Sequence, residues 1–187
     1  MNKILTVKDR VRVDPKLLGE EINKSIEDAI VSDYVNKLLP QGVVLSLVSI
    51  DEIGEGHIIP GDGAVFYETI FKILVWKPEL HEIVEGKVKE ITEFGCFVNI
   101  GPVDGMMHIS QVMDDFVSVS KSGSLQGRET NRSLKVGDLV RARIIAISLR
   151  NLESAKIALT MRQEGLGKLE WIYSQKEEKK KKEESKK

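Results

Sequence analysis

Cysteine is almost missing from this 187-residue chain: Cys96 stands alone. That excludes an internal disulfide, and no second thiolate lies at the spacing of a zinc site. His57, His81 and His108 are scattered along the sequence, so neither a metal nor another cofactor is expected. No apolar run approaches the roughly eighteen residues of a membrane helix, and charge begins at the third residue. Neither a membrane span nor a secretory leader is therefore expected, and the expected compartment is the cytoplasm. Catalysis would need paired carboxylates near a cleft. Asp114 and Asp115 are adjacent, a pattern of caps and solvated turns rather than of acid–base catalysis, and no cluster of carboxylates suits metal-assisted nucleotidyl transfer. No catalytic residue is expected.

An excess of charge of one sign is also absent, with 28 basic and 29 acidic residues. The balance is uneven, because the stretch 174–187 holds seven lysines and four glutamates, leaving 21 basic against 25 acidic residues before it. An acidic folded part cannot draw its affinity for nucleic acid from phosphate attraction alone. The stretch 174–187 has no apolar side chain to bury and reads as disordered.

What is present divides into two small domains, residues 1–80 and 81–173. In the first, Leu5, Val7, Val11 and Val13 alternate with polar residues as a strand. Asp14 and Pro15 open a helical turn. A helix is expected from Glu20 to Leu39, with Ile22, Ile26, Ala29, Ile30 and Leu38 as its buried stripe and acidic residues at its start, stopped by Pro40 and Gly42. Val43 to Ile50 reads as a strand covered on both faces. Gly54, Gly56, Pro60, Gly61, Asp62 and Gly63 read as a loop joining it to a long strand, AVFYETIFKILVW. This loop neither opens a helix nor ends in the lysine and hydroxyl residue of a nucleotide-binding loop, so it reads as a turn or docking element. Strand, helix, strand, strand is a truncated ferredoxin-like or RNP-type α+β arrangement.

The second domain is punctuated by glycine and turn residues from Glu85 to Ser110, EGKVKEITEFGCFVNIGPVDGMMHIS, as an antiparallel sheet requires. Phe94 and Phe97 flank Gly95. Either they fill a small barrel core, the reading composition alone favours, or the glycine makes a bulge or tight turn that presents both rings beside His108 as a platform for unstacked bases. Between the third and fourth strands, residues 113–117 read as a helical turn and KSGSLQGRETNRS as a mobile loop. Arg128, Arg132, Lys135, Arg141 and Arg143 form a basic flank, with Arg141 and Arg143 alternating against Val140, Ala142 and Ile144 so that one face reaches phosphates or is simply solvated. Leu169, Trp171 and Ile172 are expected to pack back on a domain or on a partner.

The blocks GKVKEITEFGCFVNI, GMMHIS, LKVGDLVRARIIAIS and KIALTMR resemble, in order and spacing, the S-one RNA-binding domain, a five-stranded all-β OB-fold barrel. The resemblance implies that Phe94, Phe97, His108 and the basic residue opening the fifth strand, Lys156, lie on the nucleic-acid face. Ser148 stands where that family usually has an aspartate. Beyond this domain, VRVDPKLLG, IIPGDGAVFYETIFKILVWKPELHEIVEG and KIALTMRQEGLGKLEW together resemble the seventh, or E-prime, subunit family of archaeal DNA-directed RNA polymerase, homologous to the eukaryotic polymerase stalk subunit.

That resemblance implies a non-catalytic subunit whose first domain docks on the polymerase core and which pairs with the fourth (F) subunit as a heterodimer. Its barrel would bind nascent single-stranded RNA, and the subunit would support promoter opening, processivity and termination. Tethering beside emerging transcript raises the effective RNA concentration, so even a weak, slightly acidic binder would be occupied. A free-standing S-one protein, such as an exosome cap or translation factor, would explain the barrel but not the first domain.

Overall fold

The computed structural model describes residues 1–18, 21–120, 123–152 and 155–174. The stretch expected to be disordered lies outside the described residues from 175 onward. The chain divides into two compact units, with the boundary between Lys77 and Pro78.

In the first unit, strand β1 (Asn2–Val13) buries Val11 and Val13 and half-buries Leu5 and Val7, as its alternation requires. A 3-10 turn (Pro15–Leu17) follows, with proline at its start. Helix α1 (Ile22–Tyr34) then leads to β2 (Leu38–Leu39), β3 (Gly42–Ile58) and β4 (Val65–Trp76). The sheet order is β1-β4-β3-β2, with every neighbour antiparallel. Because β4 lies between β1 and β3, those two strands run parallel and α1 is their crossover, a split βαβ unit. Ile26, Ala29 and Ile30 of the helix pack with Val11, Val13, Val44, Phe71, Ile73 and Val75. Phe71 is fully buried and meets the Tyr34 ring edge-on at 5.2 Å between centroids. Burial of a side chain of this size stabilises the unit by about 2 kcal/mol.

Several expectations for this unit are corrected. The helix ends at Tyr34 rather than Leu39, because Val35 is extended and Asn36 adopts φ 61°. The Asn36 N–H then donates to the Val44 carbonyl at 2.9 Å, which diverts Leu38 from the helical stripe into β2 opposite Val43. Ile22 is exposed, and its place in the buried set is taken by Ser25, whose hydroxyl donates to the Leu17 carbonyl at 2.6 Å. Strand β3 is covered on both faces only at Val43 and Val44, and it continues through Gly54 and Gly56 to Ile58. Those two glycines are thus strand residues at an irregular register, not loop residues. A Cβ at Gly56 would lie 2.8 Å from the Tyr67 ring, so close cross-strand packing explains the glycine.

The second unit holds β5 (Ile83–Thr92), β6 (Gly95–Asn99), β7 (Asp104–His108), β8 (Val117–Val119), β9 (Leu125–Gly127), β10 (Ser133–Leu134), β11 (Leu139–Ser148), β12 (Lys156–Thr160) and β13 (Gly167–Lys168). Five of these form the barrel, in the order β12-β7-β6-β5-β11, closed by the β11–β12 pairing. The β7–β12 pairing is parallel. Val88, Cys96, Val98, Met107, Ala142, Ile144, Ile157 and Leu159 point inward and are buried. Glu93 and Phe94 make the two-residue turn between β5 and β6, with Thr92 paired to Gly95. Residues 169–174 are helical. Ile172 is buried, and the Trp171 ring sits under the Arg132 guanidinium at 5.6 Å, so this end packs on its own unit.

The connection between β7 and β11 departs most from expectation. A 3-10 turn occurs at Ile109–Gln111 instead of 113–117, and the segment read as a mobile loop contributes β9 and the start of β10 to a three-stranded antiparallel sheet, β10-β9-β8. Residues 121 and 122 within that segment lie outside the described residues. The organising group is the Asp115 carboxylate, which accepts N–H bonds from Phe116, Glu129 and Thr130 and the Thr130 hydroxyl at 2.8 Å. One side chain thereby fixes both ends of the insertion. Among the described residues no helix is long and apolar enough to cross a membrane.

Candidate nucleic-acid interface

Barrel pairing decides which side chains share the outer face. Gly95 and Phe97 are two apart on β6, and directly paired residues on neighbouring strands project to the same side. Phe97 pairs with Met106, Met106 with Ala158, and Ala158 with Ala146. One apolar row therefore crosses β6, β7, β12 and β11. His108, paired with Gly95, stands one position along the row from Met106. The glycine is required there: its φ is 148°, and a Cβ would strike the Met107 carbonyl oxygen.

Phe94 is 68% exposed on the turn beside this row. Its carbonyl accepts the Ile109 N–H at 2.8 Å, which ties the turn to the end of β7. Phe97 is half-buried and does not belong to the core. The core-filling reading of the two phenylalanines is therefore corrected: the inward positions of β6 are Cys96 and Val98. The His108 ring is oriented by Ser110, whose N–H donates to Nδ1 at 3.3 Å and whose hydroxyl lies 2.8 Å from it. Nε2 has no hydrogen-bond partner among the described residues.

Polar groups flank the row, beginning with exposed Glu90, which pairs directly with Phe97 from β5. Lys156 is exposed, opposite Ser148, and has no ion-pair partner among the described residues. Lys89 holds Asp104 at 2.5 Å, and that hydrogen bond raises the ammonium above its ordinary range. The structure does not bring Arg141 and Arg143 to the row. Arg141 lies at the other end of β11, roughly 20 Å from Ser148 at about 3.3 Å per residue, where it donates to Glu85 at 2.7 Å. Arg143 pairs with Ile83 and Thr160, and its Nε is buried without a partner. The basic flank is likewise dispersed, since Arg128 stacks on Phe116 and Arg132 on Trp171. Burial pushes the Cys96 thiol up to about 12, which leaves it without thiolate character.

The first unit presents a different kind of surface at the β3–β4 turn. Ile58 is 73% exposed and Ile59 49%, followed by exposed Pro60 and Gly61, the latter at φ 95°. Asp62 fastens this turn to β1 by accepting from Arg12 at 2.9 and 3.1 Å, and it also accepts the Ala64 N–H. The Arg12 bonds hold the Asp62 carboxyl below its usual range, and Arg12 also contacts Asp14. Gly63 abuts Pro15, 3.6 Å from where its Cβ would stand.

Two family models match. The SHS2 domain found in the N terminus of Rpb7p/Rpc25p/MJ0397 matches residues 8–63, and the S1 RNA binding domain matches residues 77–155. DNA-directed RNA polymerase subunit Rpo7 of Sulfolobus acidocaldarius is 41% identical over 92% of this chain and 95% of its own length. The chain belongs to the Rpo7 family of RNA polymerase subunits. Rpo7 of Saccharolobus solfataricus is 37% identical over 92% of this chain and 97% of its own. DNA-directed RNA polymerase III subunit RPC8 of Bos taurus is 30% identical over 53% of this chain and 49% of its own.

In this Rpo7-family chain the outer row lies on the S1 unit and the apolar turn on the SHS2 unit. Sequence reasoning singled out Phe94, Phe97, His108 and Lys156 but passed over Met106 and Ala158, which join them through pairing across strands far apart in sequence. It also passed over Ile58 and Ile59, although HIIPG showed two adjacent apolar residues beside a turn.

Proposed function

We propose that this Rpo7-family chain is a non-catalytic stalk subunit that docks on the polymerase core through its first unit, pairs with the fourth (F) subunit, and holds nascent single-stranded RNA on its barrel. Phe94 and Phe97 supply stacking faces, Met106 and Ala158 an apolar floor, His108 a hydrogen-bonding ring, and Lys156 a phosphate contact. The observation that carries this reading is the exposed Phe94 ring at the edge of a continuous apolar row on a closed OB barrel. Arg141 and Arg143 are left out of the RNA contacts. Docking is assigned to the β3–β4 turn, with Ile58 and Ile59 as apolar anchors, Pro60 and Gly61 as the exposed tip, and Asp62, Gly63, Gly54 and Gly56 shaping the hairpin that presents them.

The barrel would act by retention. RNA leaving a polymerase to which this chain is anchored meets the rings at high effective concentration, which offsets the acidic balance of the folded part. By this reading the subunit supports promoter opening, processivity and termination without breaking or making a bond. The test is a reconstituted polymerase transcribing RNA that carries a photoreactive base. Crosslinks to the barrel once the transcript emerges, lost when Phe94 and Phe97 are both replaced by alanine, are expected. A crosslink yield indifferent to both rings would refute the RNA-holding role.

A further inference from the structure

The barrel's insertion carries an aromatic and cationic pair that the ring row does not use. Phe116 is 66% exposed, and the Arg128 guanidinium lies over one face of its ring, 4.8 Å from the centroid. Arg128 has no acidic partner among the described residues. The two residues are held in register: the Arg128 N–H donates to the Phe116 carbonyl at 3.0 Å, and the Asp115 carboxylate clamps the backbone on both sides of the pair. Gly127 is needed for that approach, because a Cβ there would meet the Met113 sulfur and the Thr130 hydroxyl at 2.8 Å and collide with Asp115. An exposed ring placed this rigidly is preorganised, so little ordering cost opposes a ligand.

Continuity with the row gives the pair a direction. A surface depression of 410 Å³ is lined by Ile109, Ser110, Asp114, Phe116, Val117 and Arg162. Its Ser110 edge is the residue that orients His108. Arg162 and Asp114 neutralise each other at 2.6 Å, whereas Arg128, which lies over the ring of the lining residue Phe116, has no acidic partner among the described residues.

We infer that Phe116 and Arg128 form a second RNA contact, which receives a base and a phosphate of the strand after it has passed His108. This rests on the ring row being an RNA platform. The free ring face suits a base, and the guanidinium offers both a stacking plane and a phosphate contact. A protein partner would require a broader apolar patch than one ring beside a cation.

The test measures binding of the full chain to single-stranded oligoribonucleotides of about four and about twelve nucleotides, bracketing OB-fold site sizes. Phe116→Ala and Arg128→Gln are expected to weaken the longer RNA at least about five-fold and leave the shorter unchanged. Arg128→Gln should also make the salt slope shallower by about 0.7. Phe97→Ala should weaken both lengths. Unchanged affinity for the longer RNA in both insertion variants, with native melting, overturns the second contact even if Phe97→Ala acts as stated. Loss of a co-purifying polymerase subunit in those variants, with RNA affinity intact, assigns the pair to a protein and overturns it too. If Phe97→Ala leaves both lengths unaffected while Phe116→Ala weakens the longer, the ring row fails, and with it the proposal of a second contact on the same strand.

Discussion

Replacing Phe94 with alanine separates binding from folding more cleanly than any other change on the barrel. The ring is 68% exposed, and its backbone, not its side chain, bonds Ile109. Truncation removes little buried apolar area, so stability should change by no more than about 0.5 kcal/mol. If the ring stacks a base, the same change removes roughly 1–3 kcal/mol of binding, about 5- to 150-fold in Kd. Phe97→Ala should cost similar affinity but also about 1 kcal/mol of stability, because Phe97 is half-buried against Met106 across the strand pair. The assay is fluorescence anisotropy with a labelled single-stranded RNA at fixed salt, alongside thermal melting of each variant. A Phe94→Ala protein with native melting and unchanged Kd would refute stacking at this ring, and the same result for Phe97 would remove the platform.

Ile58→Ser with Ile59→Ser should abolish co-purification with polymerase core while leaving melting unchanged, since both side chains are exposed; retained assembly would end the docking assignment. Asp115 is held below the ordinary carboxylate range chiefly by the Thr130 N–H. A depressed folded pKa means that its contribution is present above the unfolded value near 3.9 and is lost as pH falls through the lower folded value. Protection of the Glu129 and Thr130 amides, relative to the intrinsic exchange rate at each pH, should therefore fall in acid before that of the barrel strands, and Asp115→Ala should show the low protection already at neutral pH. Cys96, with its thiol pushed up to about 12 by burial, should resist thiol reagents at pH 8 in the native protein and react only on unfolding.

Much of the architecture was legible because local rules and long-range packing agree. The alternation of Leu5, Val7, Val11 and Val13 matches a strand half-covered by a helix, and the apolar spacing of Ile26, Ala29 and Ile30 matches the face that α1 buries. Agreement failed where a partner strand outweighed a local signal. Gly54 and Gly56 look like loop residues, yet β4 supplies twelve residues of pairing surface that holds them in β3. KSGSLQGRETNRS has the composition of a mobile loop, yet a carboxylate outside it, that of Asp115, bonds Glu129 and Thr130 and folds the segment back against β8.

By itself the sequence determined two α+β and all-β units, the order of the barrel blocks, and the residue types able to touch RNA, because strand period, turn chemistry and block spacing are properties of neighbours along the chain. Only the tertiary structure decided that Phe94 and Phe97 face outward with Met106 and Ala158, that Arg141 and Arg143 lie elsewhere, and that Arg128 covers Phe116. Those outcomes depend on register, and a one-residue slip turns every side chain of a strand to the other face. The pairings that gather the row, β7 with β12 and β12 with β11, and the Asp115 bonds that fold the insertion join residues far apart in the chain, which no local stretch contains.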